Sequence, residues 1–284
     1  MEFIKKAGRE TTRVMERGGV PFLIFPKLEE TGLVTHCFSM RPGGVSRGIY
    51  ASMNLSFSRG DDEACVRENY ERLGKAAGFS CADLVCSDQT HTANVRAVTE
   101  ADRGKGFTRS KDYTDVDGLV TNVPGLVLAT FYADCVPLFL VDPVRRAIGL
   151  SHSGWKGTVG KIGRHTLEVM EQEYGTKPED VLAAIGPSIC QDCYEVSEDV
   201  IEKFRGTFEP SDWKELFYKK ENGKYQLDLW RANQLIFEEA GVPGEHIAVT
   251  DVCTCCNPEL LFSHRASHGK RGNLGAFLML RSSH

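Results

Sequence analysis

The sequence predicts an α+β fold with a large mixed β-sheet and flanking helices. Three observations carry this. Short apolar runs cluster in the first half and centre of the chain. Helical periodicities are interspersed with strands after residue 157. No strict alternation of strand and helix marks a doubly wound parallel sheet. With no internal repeat or linker-like shift in composition, residues 1–284 read as a single domain.

The elements follow in order. "GVPFLIFPKLEETGLVTHCFSM" (19–40) reads as two strands with a turn at 30–32. "RPGGVSRGIYASMNLS" (41–56), rich in Gly and Ser, is a shaped loop. A helix follows, with Val66, Tyr70, Leu73 and Ala77 on one face and acidic residues at its start. "LVCSDQTHTANVRAVT" (84–99) resembles two strand segments around a polar centre. "DGLVTN", "LVLATFYA", "VPLFLVD" and "AIGLSHS" make the middle strand-dense. Residues 158–175 form an amphipathic helix on Val159, Ile162, Thr166, Val169 and Met170, stopped by Gly175. "VLAAIGP" is a short buried strand, and "VSEDVIEKF" a helix capped by Ser197. "LDLWRANQLIFEEAGV" is a further helix ending at Gly241, and "HIAVTDVCT" and "LGAFLML" are late strands.

Composition narrows the function. The hydrophobic fraction is 41% and the charged fraction 26%, ordinary for a globular protein. With 34 basic and 39 acidic residues the net charge is −5, so nothing electrostatic favours nucleic acid or acidic membranes as partners. No run approaches the roughly 20 apolar residues of a membrane-spanning helix, and the start lacks a signal-peptide core. The expected location is the cytoplasm. There the ten cysteines are reduced thiols, metal ligands or catalytic groups rather than disulfides.

"FYADCVPLFLVDPVRRAIGLSHSGWKGTVG" (131–160) holds the candidate chemistry. A hairpin turning at "VRR" brings its two ends, Cys135 and His152, side by side. They suit a packed core pair, a nucleophile and base, or two ligands of a metal. His91, in "DQTHTAN", reads as lying on a third strand and completes an N₂S donor set. Zinc accepts such a set, and three protein ligands leave a fourth position open for water. Trp155 and Lys156, flanked by glycines before a helix, suit a pocket wall with a cation for anions.

At these motifs the chain resembles the YfiH-type family, also called laccase-domain or multicopper polyphenol oxidoreductase proteins. The shared stretches include "GGVSRGIYASMNLS", "DQTH", "ADCVP", "SHSGWKGTVGKI", "AAIGPSICQDCYEV", "LDLWRANQ" and "LFSHRA". The resemblance implies a sandwich similar to the cytotoxic necrotizing factor catalytic domain. It implies one zinc held by His91, Cys135 and His152. It implies purine nucleosides and phosphate as partners, with phosphorolysis of adenosine, inosine, guanosine and methylthioadenosine and hydrolytic deamination of adenosine. Within it, Asp134 becomes a proton shuttle or a group that orients a ligand. Arg41, Lys156 and Arg265 become phosphate contacts, and Asn54 and Gln89 contacts for ribose or base.

Three other readings stand beside this one. The older family name implies a copper polyphenol oxidase, yet eight histidines supply one mononuclear site rather than several copper centres. A cysteine hydrolase, such as an amidase editing peptidoglycan precursors, would use Cys135 and His152. A non-enzymatic binding module is the fourth. Two further C-x-x-C pairs, Cys190/Cys193 and Cys253/Cys256, are packed or surface thiols or a Cys₄ metal site; the 60 residues between them (253 minus 193) exceed a usual zinc ribbon. His264, His268 and His284 read as surface residues.

Overall fold

The computed structural model describes residues 2–6, 8 and 10–282. The chain begins with a hairpin of β1 (Arg13–Arg17) and β2 (Val20–Ile24), then α1 (Pro26–Glu29) and β3 (Val34–Ser39). After the shaped loop come α2 (Glu63–Ala77), β4 (Leu84–Cys86) and β5 (Val95–Ala97). The strand-dense middle is β6 (Gly118–Thr121), β7 (Val127–Tyr132), β8 (Val136–Asp142) and β9 (Ala147–Ser153). Then follow α3 (Trp155–Val159), α4 (Ile162–Tyr174) and β10 (Leu182–Ile185). Next are β11 (Glu195–Val196), α5 (Glu198–Arg205), α6 (Trp213–Leu216), β12 (Phe217–Lys219) and β13 (Tyr225–Leu227). The last elements are α7 (Leu229–Glu239), β14 (Ile247–Val249) and β15 (Leu274–Leu280).

Two six-stranded mixed sheets result, ordered β1-β2-β3-β15-β7-β4 and β14-β10-β8-β9-β6-β5, with a small β11-β13-β12 sheet beside them. Alternation along β8 shows how they stack. Phe139 and Val141 pack with Phe38, Leu128 and Leu278 of the first sheet. Leu138 and Leu140 face the other way, against Ile162, Met170 and Phe237 of α4 and α7. β8 is therefore buried on both faces, which is why it reads as an unbroken apolar run. On the outer face of the first sheet, Val66, Tyr70 and Leu73 of α2 cover Phe22, Val127 and Phe277. The layers run helix, sheet, sheet, helix: the expected α+β sandwich.

Two local expectations change. The helix expected across 158–175 is broken: α3 ends at Gly160, and Lys161 takes a left-handed φ of 52° before α4 starts. His91 lies on no strand; it sits in the loop between β4 and β5. Its polar neighbours bond to a carboxylate instead of a sheet ladder.

Candidate metal centre and its cavity

Strand pairing assembles the site. β8 and β9 form the expected hairpin, with Val136 opposite Ser153 and Pro137 opposite His152. Cys135, one residue before β8, thereby meets the end of β9. β6 pairs with the other edge of β9, Gly118 opposite Ser151, which puts Asp117 beside His152. The His152 amide donates to the Asp117 carbonyl at 2.8 Å.

Asp117 is the organiser that sequence reasoning missed. It is fully buried. Its Oδ2 accepts from the amides of Thr90 (2.9 Å) and Thr92 (3.0 Å) and from the Thr92 hydroxyl (3.2 Å). Its Oδ1 accepts from the His91 amide at 3.2 Å and faces His152 Nδ1 at 2.7 Å. One carboxylate thus ties the His91 loop to the His152 strand. It also gives the Nδ1 proton of His152 its acceptor, so that Nε2 is the nitrogen turned to a ligand position. Burial alone would raise the Asp117 carboxyl, but His152 and the Thr90 and Thr92 amides outweigh it and hold it at about 2.

Three donor atoms converge at this point. The ligating atoms of His91, Cys135 and His152 all lie within 4.8 Å of one another. Cys135 Sγ is 4.0 Å from His91 Nε2, and the two imidazole rings meet edge-on with centroids 4.9 Å apart. Burial pushes the Cys135 thiol up, but the facing imidazoles, His152 foremost, draw it down to about 6. His152 is lowered by burial, yet the Cys135 thiolate and Asp117 lift it to about 9. A soft sulfur beside two imidazoles fits a zinc or copper ion. Gly154 makes room for the cluster: a Cβ there would stand 3.1 Å from both Cys135 Sγ and His91 Cδ2. His91 and Asp134 both hold positive φ, 66° and 87°, rare for residues with a side chain. For His91 the hydrogen bond that its amide donates to Asp117 supports that conformation.

The cluster lies in a cavity of about 680 Å³, a size suited to a small ligand. Gln89 and Arg265 line it, as does Asp134. Gln89 pairs with the Phe131 backbone through both ends of its amide, at 2.7 Å each. Both Asp134 oxygens are engaged, by the Thr254 hydroxyl and the Arg265 amide at 2.7 Å each. The Arg265 guanidinium donates to the carbonyls of Cys193 and Glu195 at 3.0 Å each and lies over the Tyr194 ring.

The other expected contacts lie outside the cavity lining. Arg41 donates to the carbonyls of Ala51 and Pro258 at 2.6 Å each and lies over Phe262. Asn54 is wholly buried and bonds Asp61, Ser56 and the Asn273 amide. Both shape the 41–56 loop. Lys156 is exposed and lies along the Trp155 ring, because α3 turns it away from the cavity. In its place the basic loop after Phe262 supplies Arg271, with His264 at the rim. Burial first, then repulsion by Arg59, lowers the Arg271 guanidinium to about 10. No carboxylate pairs with Arg271 among the described residues, and its Nε is buried without a partner. His264 and His268 are exposed, as expected; His284 lies outside the described residues.

Fold and site define a four-layer sandwich protein with an N₂S ligand set at the floor of a ligand-sized cavity. The sequence model of the multi-copper polyphenol oxidoreductase laccase family matches residues 35–281, and the chain belongs to that family, the YfiH-type proteins. Purine nucleoside phosphorylase YlmD of Geobacillus stearothermophilus is 39% identical over 243 residues, covering 83% of this chain and 86% of the relative. Adenosine deaminase RL5, from an unknown prokaryotic organism, is 36% identical over 231 residues, covering 80% and 87%. The crystal structure of Bacillus licheniformis hypothetical protein YfiH superposes with a TM-score of 0.89 at 33% identity, covering 96% of this chain and all of that one. Among the described residues, no helix is long and apolar enough to cross a membrane.

Proposed function

We propose that this protein is a zinc-dependent purine nucleoside enzyme. It would carry out phosphorolysis of adenosine, inosine, guanosine and methylthioadenosine, and deaminate adenosine to inosine with water. The observation that carries the reading is the convergence of His91, Cys135 and His152 at the floor of a 680 Å³ cavity. It is supported by relatives named for both activities. We treat residues 1–284 as one domain, since β15 near the C-terminus is paired between β3 and β7.

The donor set fits zinc: one thiolate, two imidazoles, and a fixed tautomer on His152. When bound with three protein ligands, zinc acts as a Lewis acid and activates water. The chain's own residues do the rest. Asp117 accepts from the His91 amide and faces His152 Nδ1, so that Nε2 is the nitrogen His152 presents to a metal. Asp134, locked by Thr254 and Arg265, positions the loop that carries Cys135. Gln89 stiffens the wall beside Phe131, whose side chain also lines the cavity. Arg271, half-buried and without a carboxylate partner among the described residues, is the phosphate-binding group in this reading, and a bound anion offsets its repulsion from Arg59. In phosphorolysis a phosphate oxygen bonds to C1′ of the ribose as the bond to the purine nitrogen breaks. In deamination water adds at C6 and ammonia leaves.

The second reading is a cysteine hydrolase. The line Asp117–His152–Cys135 favours it, with an oriented imidazole next to a thiol of lowered pKa. Against it, a second imidazole, His91, stands 4.0 Å from the same sulfur and completes a three-donor set that a nucleophile–base pair does not need. Copper polyphenol chemistry has weaker support. Only two groups of three or more metal-ligating side chains exist among the described residues, and the other is all cysteine.

The test is product chromatography on adenosine with and without phosphate. The proposal expects adenine and ribose 1-phosphate only with phosphate, and inosine with or without it. Release of adenine with no phosphate present would remove the phosphorylase assignment. Amidase activity in metal-free protein, lost in Cys135→Ala, would replace the whole reading by the second.

A further inference from the structure

A second sulfur cluster lies apart from the cavity floor. Cys190 and Cys193 are separated from Cys253 and Cys256 by 60 residues (253 minus 193). The fold closes that gap through one strand pairing. β10 and β14 run parallel, Ala184 beside Ala248 and Ile185 beside Val249. The segments leaving both strands continue side by side. The Thr250 amide donates to the Ile185 carbonyl (2.9 Å) and the Thr254 amide to Ser188 (3.1 Å). Ser188 and Cys253 form a parallel bridge. The two C-x-x-C turns thus arrive together.

The four sulfurs lie within 4.8 Å of one another. Cys193 Sγ and Cys256 Sγ are 3.5 Å apart, and the Cys190 amide donates to Cys253 Sγ at 3.2 Å. A tetrahedral zinc site with Zn–S bonds of about 2.3 Å places its sulfurs about 3.8 Å apart. A disulfide would need about 2.05 Å and would join sulfurs in pairs; all ten cysteines are free thiols. Simple apolar packing does not require four sulfurs to face a common point. Lys6, paired with Asp192 at 3.0 Å, also places a cation near Cys190 and Cys256.

We propose that Cys190, Cys193, Cys253 and Cys256 hold one zinc ion in a closed, tetrahedral, all-thiolate site. With four protein ligands it has no open position, so its role is structural. It joins two segments that reach the cavity wall. Tyr194, next to Cys193, lines the cavity. Arg265 is held by the carbonyls of Cys193 and Glu195. Thr254, inside the second turn, donates to Asp134, which precedes Cys135. The site therefore pins the wall facing the catalytic cluster without sharing a residue with it.

The decisive material is full-length protein carrying His91→Ala, Cys135→Ala and His152→Ala, purified under reducing conditions without added metal. The expected result is one zinc per chain by elemental analysis, with X-ray absorption showing four sulfur neighbours at about 2.3 Å. Adding Cys193→Ser and Cys256→Ser should abolish that zinc, while Cys255→Ser, outside the four, should keep it. No bound zinc in the triple variant, iron in its place, or nitrogen and oxygen neighbours would overturn the proposal. If the cysteine variants fail to fold, the metal count and sulfur shell of the triple variant still decide. These readouts are independent of nucleoside turnover, so the proposal stands or falls separately from the enzymatic reading.

Discussion

Replacing Asp117 by Asn tests how the cavity floor is organised. The carboxylate accepts from five donors: the amides of Thr90, His91 and Thr92, the Thr92 hydroxyl and His152 Nδ1. An Asn keeps only one acceptor oxygen. Satisfying Thr90 and Thr92 points its NH₂ at His152, which then must accept at Nδ1 and carry its proton on Nε2. That proton occupies the lone pair a metal needs. Losing such an outer partner typically costs 10–100-fold in metal affinity, about 1.4–2.7 kcal/mol. The structure gives a similar scale. Asp117 is held at about 2, against 3.8 for a free carboxyl. That shift corresponds to about 2 kcal/mol of interaction. Competition with a chromophoric chelator measures the affinity, and circular dichroism checks that the fold survives. Wild-type affinity in Asp117→Asn would refute the claim that this carboxylate sets the ligand tautomer.

Other perturbations give distinct signatures. Gly154→Ala should fold normally, because φ is −74°, yet lose about tenfold or more in metal affinity from a Cβ 3.1 Å from two ligands, measured by the same competition. Arg271→Met should raise the KM for phosphate about 10–100-fold, the worth of a charged hydrogen bond, with deamination changing far less; steady-state kinetics on adenosine read both. His36 supplies a stability prediction. Burial, then the Arg281 charge, lowers its imidazole to about 4 from 6.5, and its Nε2 accepts from the Phe25 amide. Because the folded pKa lies below the unfolded one, full stability holds above about pH 6.5. It falls as pH drops towards 4, where only the unfolded chain takes up the proton. The loss by pH 5 should be about 2 kcal/mol. Urea midpoints at pH 7 and pH 5 should therefore differ less in His36→Gln than in the wild type.

Much of this was legible before the structure. The apolar run of β8 and its turn to β9 predict the meeting of Cys135 and His152, since a hairpin fixes its own register. What the sequence hid depended on non-local pairing. Asp117 becomes a partner of His152 only once β6 is known to lie against β9, the two residues being 35 positions apart in the chain. Arg271 and Arg265 share one basic loop, and composition cannot tell that Arg265 reaches across to the Cys193 and Glu195 carbonyls while Arg271 bonds its loop neighbours Gly272 and Asn273 and keeps a buried Nε without a partner. Lys156 reads as a pocket cation from its glycine neighbours, but helical phase turns it outward. Arg41 and Asn54 read as ligand contacts from the resemblance, but their hydrogen bonds are spent on building the 41–56 loop. The two C-x-x-C pairs look too far apart for one site until the parallel β10–β14 pairing closes the distance.

The central claim is that one cavity, with His91, Cys135 and His152 at its floor, acts on purine nucleosides. Its most direct test is adenosine turnover by metal-analysed protein, wild type against Cys135→Ala, with phosphate present. The account predicts ribose 1-phosphate, adenine and inosine from the wild type, and loss of all three together with the cavity-floor metal in the variant. Undiminished turnover by Cys135→Ala that has lost that metal would contradict it.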